Sequence, residues 1–362
     1  MDVHTTNYTL CCYSMEDDRF FAEVQVEPDA KNILKYLARI EKQQSRDCRI
    51  VCGYEAGCLG YSLYHQLHAH GIDCVILAPT TMMTKPGKRI KTDRRDARLI
   101  SKCLAFHTYS PVYIPTEVDD TVKEYIRMRD DANSALARVK QQIIAFCIRH
   151  GKIHDGKSYW TNKHLEWLSS LDLGNKILSE VLQEYLIRYY QLREQVDVYD
   201  MRINELAQAE PYRQKVEKLG CFRGIAAHTA LSFCVEVGDF RRFATAQQFA
   251  SYLGLVPGEC SSGDKQQYTG ITKAGNSHLR KLLVETAQVF GRSATKSGKS
   301  VALKERQAKC DSLTVAYADK ANARLKKKYF KIAMRSKVNI AKTAVAREMA
   351  CFIWGMMTDR IA

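Results

Sequence analysis

The order of apolar runs in the first hundred residues constrains this chain more than any other feature. Three runs with strand-like alternation, residues 1–4, 8–14 and 20–26, precede a helical stretch over 29–41, where Ile33, Leu34, Leu37 and Ile40 recur at core spacing. An apolar run ending in acid follows at 49–55, then a helix over 58–70 and a strand over 72–78. After Pro79 comes a basic loop, and then a helix that carries Asp93 and Asp96. The succession is β-β-β-α-β-α-β-α.

That succession is the one found in the RNase H-like fold, in which a sheet presents carboxylates from its first strand, its fourth strand and a late helix. The acids of this chain fall at those places. Asp2 lies on the first strand, Glu55 closes the fourth, and Asp93 and Asp96 stand three residues apart, on one face of their helix. Four carboxylates gathered at one sheet edge are too costly unless cations neutralise them. Mg2+ is the expected cation, because it takes hard oxygen ligands and works on phosphate substrates. Lys88, Arg89, Lys91, Arg94, Arg95 and Arg98 set the helical pair in a basic field. A plainer account stands beside this one: Thr92 caps a helix whose first-turn acids answer its dipole, Asp2 is a terminal residue, and Glu55 is a solvated strand end before Gly57.

Charge narrows the partners. Lys and Arg exceed Asp and Glu to give a formal net charge of +15, on a chain of 362 residues that is 46% hydrophobic. An ordinary globular core with such a basic excess points to a polyanion, nucleic acid first. No apolar run approaches the roughly 18 residues of a membrane span, and no basic segment followed by an apolar one opens the chain, so neither insertion nor secretion is expected. The 13 cysteines are scattered without a C-x-x-C pair. Reduced, mostly buried thiols in a cytoplasmic, nucleoid-associated protein are the expectation.

Past Pro111 and Pro115 the chain turns to long helical segments. Residues 121–149 read as one amphipathic helix, and a polar patch over 150–163 interrupts the pattern. From residue 178 a heptad seam runs through Leu182, Tyr185, Tyr189, Leu192, Val196, Tyr199, Ile203 and Leu206. The seam has two readings, a helix packed inside its own chain or an intermolecular coiled coil that joins two copies. Near Pro211 the helix gives way to residues 219–230, which resemble a helix-hairpin-helix with Arg223-Gly224 in place of the usual proline-glycine pair; a plain helix-helix turn fits as well. Beyond it, residues 249–257 lead into Ser261-Ser262-Gly263-Asp264-Lys265, which in an unrelated protein is only a turn. Residues 270–280 open a further helix and carry Lys273 and Arg280 as phosphate contacts. The densest basic stretch, with Lys326, Lys327 and Lys328, follows later.

Three signatures, Asp2-Val3-His4, Glu55-Ala56-Gly57 and Lys91-Thr92-Asp93-x-x-Asp96-Ala97, resemble those of the DEDD transposases of the IS110 insertion-sequence family. The run before Ser262-Gly263 is similar to the family's leucine-threonine/valine-proline, spacer, serine-glycine pattern. The resemblance implies a RuvC-like, RNase H-like domain over 1–115, a helical coiled-coil region over 116–210, and a mainly helical transposase domain over 211–362. It implies catalytic metal-binding acids Asp2, Glu55, Asp93 and Asp96, a nucleophilic Ser262 with Ser261 as fallback, and nucleic-acid contacts at Arg223, Lys265, Lys273, Arg280, Lys326, Lys327 and Lys328. The implied activity is excision and integration of an insertion sequence through a phosphoserine intermediate. The implied partners are DNA, a structured bridge RNA in some members, and further copies of the chain in a dimer or tetramer. Only Met1 precedes the first aspartate, where family members have several strand residues, so Asp2 is expected to be weakly held. Two other classes compete: a metal-dependent nuclease or junction resolvase in which Ser262 is structural, and a nucleic-acid-binding remnant without activity.

Overall fold

The structure is a computed structural model that describes residues 1–43, 49–57, 59–82, 92–259, 267–292 and 298–361. The chain forms two compact units, Met1–Ile114 and Pro115–Ala362.

In the first unit the element succession is the expected one: β1 (Asp2–Val3), β2 (Tyr8–Ser14), β3 (Arg19–Val26), α1 (Ala30–Gln43), β4 (Cys52–Glu55), α2 (Ser62–Ala69), β5 (Cys74–Leu77) and α3 (Asp93–Ala105). β1, β2 and β3 form an antiparallel meander, with Asp2 opposite Thr9 and Tyr8 opposite Val26. β4 and β5 run parallel, Glu55 opposite Leu77. The Met1 nitrogen donates to Gly53 O at 2.7 Å and ties β1 to β4. The three-stranded sheet β1-β2-β3 and the two-stranded sheet β4-β5 thus approach each other at β1 and β4.

Alternation along these strands divides two faces. Leu10, Tyr54 and Ile76 join a core with Ile33, Leu37 and Ile40 of α1 and Leu63 and Leu67 of α2. On the other face, Leu77 packs with Met82 and with Ile100 and Cys103 of α3. Gly53 lies under the end of α3, where an added Cβ would come within 2.8 Å of Leu104. That glycine lets the helix lie close to the sheet. Gly60, at φ +59°, turns the chain before α2, so the helix read from residue 58 begins only at Ser62.

The second unit contains α4 (Glu117–Arg149), α5 (Asn162–Ser169), α6 (Lys176–Gln208), α7 (Arg213–Gly220), α8 (Ala227–Val237), α9 (Ala246–Tyr252), β6 (Pro257–Glu259), β7 (Tyr268–Ile271), α10 (Ser277–Arg292), α11 (Val301–Gln307), α12 (Ser312–Ala333) and α13 (Val338–Met357). α4 and α6 form an antiparallel hairpin. Phe146 meets Tyr185 at one end and Tyr125 meets Tyr199 at the other, with ring centroids 6.0 and 5.7 Å apart. The heptad seam is thus covered by α4 of the same chain, which is the first of its two readings. α4 can do this because it carries its own apolar stripe, with Leu136, Val139, Ile143 and Phe146 buried against Leu182, Leu186, Tyr189 and Val196. α7 to α13 enclose a larger core containing Phe222, Phe233, Phe249, Leu283, Phe290, Leu325 and Ile353.

Among the described residues no disulfide joins the cysteines, and the Cys12 sulfur meets the Tyr36 hydroxyl at 3.1 Å. Among the described residues no helix is long and apolar enough to cross a membrane.

Candidate metal centre

α3 starts where Thr92, in extended conformation, accepts a hydrogen bond on its hydroxyl from Arg95 N at 3.4 Å. The cap and the first-turn acids of the plainer reading are therefore present. The position of the helix adds more. α3 crosses the sheet face opposite α1 and α2, and its first turn stands over β1.

Asp2, His4 and Asp93 converge there. One possible ligand atom from each lies within 4.8 Å of the other two. His4 Nε2 is 3.3 Å from Asp2 Oδ2 and 4.0 Å from Asp93 Oδ1. Asp2 is well held, against expectation: it pairs in β1, its neighbour Met1 is buried, and its own side chain is only 13% exposed. Burial pushes the Asp2 carboxyl up, and the nearby Asp96 and Asp93 carboxylates push the same way, while His4 opposes them. Asp2 Oδ2 is buried, and the His4 ring nitrogen 3.3 Å away helps keep the carboxyl ionised. A buried carboxylate beside further acids suits a divalent cation. Asp2, His4 and Asp93 are the residues that would hold it.

The other two acids stand nearby in different ways. Asp96 is close enough to act on Asp2 electrostatically but lies outside the three-residue cluster. Glu55 is exposed at the end of β4, next to β1, and shares a sheet face with Gly53 two residues earlier. His4 was not among the site residues read from sequence, although the two-residue alternation of Asp2 and His4 puts them on one side of the strand. Part of the basic field is spoken for within the unit: Arg98 Nε donates to Glu23 at 2.5 Å, and Arg94 lies 3.8 Å from the same carboxylate. Lys88, Arg89 and Lys91 fall outside the described residues.

In the second unit, Ser261, Ser262 and Lys265 also fall outside the described residues. Their flanks form an antiparallel pair, with Pro257 of β6 opposite Ile271 of β7. The segment that follows is seated tightly on the end of α9. Asn276 N donates to Tyr252 O at 2.9 Å, and an added Cβ on Gly275, at φ +100°, would fall 2.1 Å from that same carbonyl oxygen. Asn276 Oδ1 accepts from Leu279 N at 2.9 Å. Lys273 is exposed, whereas Arg280 donates to Leu253 O at 2.9 Å.

Beside this segment lies a polar cluster that the sequence did not announce. The His278 ring is held between Glu236, which Nδ1 meets, and Asp130, which Nε2 meets at 2.7 Å. His228 Nε2 approaches the other Asp130 oxygen at 2.9 Å, and Arg129 joins from the side. Burial works against charge on His278, but the two carboxylates win and raise it from 6.5 to about 9. Burial likewise opposes ionisation of Asp130, yet His228, His278 and Arg129 hold it well below the usual carboxylate range.

The turn at Gly224, φ +87°, joins α7 to α8 and packs on α10, where a Cβ would meet Thr286 Cγ2 at 2.9 Å. Its neighbour Arg223 donates to Asn322 Oδ1 and Gly298 O, both at 2.9 Å. On α12, Lys327 is exposed and Lys328 pairs with Glu348 at 2.6 Å. Lys326 lies partly buried on the same helix.

Known proteins are similar along most of this length. The DEDD transposase family of the IS110 type matches residues 1–148, and the family described as Transposase IS116/IS110/IS902 matches residues 217–306. The chain is 35% identical over 307 residues to the transposase-family protein y4qE of Sinorhizobium fredii, covering 84% of this chain and 75% of that one. It is 31% identical over 336 residues to the transposase for insertion sequence element IS1533 of Leptospira borgpetersenii, covering 91% and 94%. To the transposase for IS1111A of Coxiella burnetii it is 26% identical over 268 residues, covering 70% and 71%. With two family matches on its two units and near full-length relatives, the chain belongs to the IS110 family of transposases.

Proposed function

We propose that this transposase moves an insertion sequence by metal-assisted strand exchange through a phosphoserine intermediate, with Asp2, Glu55, Asp93 and Asp96 as the acids and Ser262 as the nucleophile. The observation that carries the reading is the convergence of Asp2 and Asp93, 91 positions apart in sequence, on one cluster with His4, where an Asp2 carboxylate oxygen is buried. The approach of β1 to β4, which brings the antiparallel β1-β2-β3 meander beside the parallel β4-β5 pair, supports an RNase H-like, RuvC-like first unit over residues 1–115. Residues 116–210 then form the helical arm, and 211–362 the transposase domain.

The cation, Mg2+ in this reading, supplies charge against the phosphoryl oxygens and the leaving oxygen when bound. The chain does the rest. Asp2 and Asp93 would hold that cation, and Glu55 and Asp96 border the same site. Ser262 Oγ passes its proton to solvent and bonds to phosphorus, and the displaced strand oxygen takes up a proton and leaves as a hydroxyl, so one P–O ester replaces another and rejoining needs no added energy. Lys273, Lys326 and Lys327 neutralise DNA phosphates, with Arg223, Lys265, Arg280 and Lys328 as further contacts. A structured bridge RNA fits the same phosphate-directed surfaces. A homo-oligomer, two or four copies, brings two DNA partners together, with acids of one copy serving the serine of another. The protein acts in the cytoplasm, at the nucleoid.

The test supplies Mg2+ and supercoiled plasmids carrying both element ends. A covalent protein–DNA adduct that disappears in Ser262→Ala is the expected result. Cleavage that persists in Ser262→Ala without an adduct would instead identify a nuclease or resolvase, and binding without cleavage an inactive remnant.

A further inference from the structure

His4 is not one of the four acids, yet it stands inside their cluster. Ligand atoms about 2.1 Å from one ion are about 3 Å apart at right angles and about 4 Å apart when opposite. His4 Nε2 lies 3.3 Å from Asp2 Oδ2 and 4.0 Å from Asp93 Oδ1, so the three residues already close on a single point. Three further features favour a ligand over a bystander. Asp2 Oδ2 is buried with the His4 ring nitrogen 3.3 Å away, an arrangement that a cation shared by the two groups satisfies as well. Asp2 and His4 alternate along the chain and so present themselves to the same side, where the first turn of α3 stands. The His4 backbone is fixed, its N–H donating to Asn7 O at 3.0 Å, while its side chain is 50% exposed and free to turn toward an ion without repacking.

We propose that His4 is a direct ligand of the cation held by Asp2 and Asp93, and that its nitrogen makes this site favour Mn2+ over Mg2+. The proposal rests on the metal reading above. Mg2+ takes oxygen donors and keeps its water, whereas an imidazole donor strengthens binding of first-row transition ions. The chemistry called for at the site is thus softer than a set of carboxylates alone would give.

Pulsed electron paramagnetic resonance of the full chain with bound Mn2+ reads this directly. Native protein is expected to show coupling of the Mn2+ spin to a ring 14N. In His4→Ala and His4→Gln that coupling disappears, the carboxylates still bind Mn2+ about tenfold more weakly, and Mg2+ affinity measured by competition stays unchanged. Both variants are expected to melt as the native protein does, because the side chain is half exposed. Bound Mn2+ without nitrogen coupling, or with coupling that survives both substitutions, overturns the role of His4 and leaves the metal reading standing. Native protein and an Asp93→Asn variant that both fail to bind Mn2+ overturn the two together.

Discussion

Asp2, largely buried beside His4 and close to the first turn of α3, is the residue on which the proposed cation site turns. Glu55 and Asp93 were placed from sequence because one closes and the other opens an element whose type the apolar pattern defines. His4 was not, since a single histidine on a short strand reads as an exposed polar residue until the first turn of α3 is placed over it. The cluster at His278 was hidden for a related reason: Asp130, Glu236 and His278 come from three helices, and no spacing along the chain links them. That cluster makes a prediction about pH. His278 is raised from 6.5 to about 9 in the folded protein, so its contribution to stability is complete below about 6.5 and is lost as pH rises through about 9. Asp130 is depressed, so its contribution is present above the ordinary carboxylate range and is lost as pH falls. Melting temperatures from pH 6 to 10 are expected to fall more steeply for the native chain than for His278→Gln. Parallel curves would show that the charged ring stabilises nothing.

At the scale of elements, the α4–α6 hairpin shows where sequence reading divides. The heptad seam of α6 was correctly legible as a buried stripe, but its partner was not, because two stripes of similar length in one chain can pair with each other or with copies. The structure pairs them within the chain. Ile143 is fully buried at the middle of that contact. Replacing it with Ala is expected to cost about 2–5 kcal/mol by denaturant titration, with amide exchange quickening across both α4 and α6. An unchanged midpoint would mean that the hairpin is not held by this seam. The short strands and their helices in the first unit were readable to within a few residues, since alternation and core spacing agreed there. Their ends shifted where glycine geometry intervened, as at Gly60.

Over the whole molecule, a net charge of +15 sets the physics of partner binding. The logarithm of DNA affinity is expected to fall linearly with the logarithm of salt concentration, and Lys327→Ala to reduce that slope by about one phosphate contact. Lys328→Ala should reduce it less, because Glu348 already pairs with that ammonium group. Equal slopes for native and Lys327→Ala protein would remove α12 from the interface. If the acids and Ser262 serve one reaction, mass spectrometry of the DNA-linked peptide, after incubation with Mg2+ and supercoiled substrate, will find a phosphodiester on Ser262 in native protein and no linked peptide in Asp93→Asn. Linkage at another residue, or undiminished linkage in Asp93→Asn, would show that they do not.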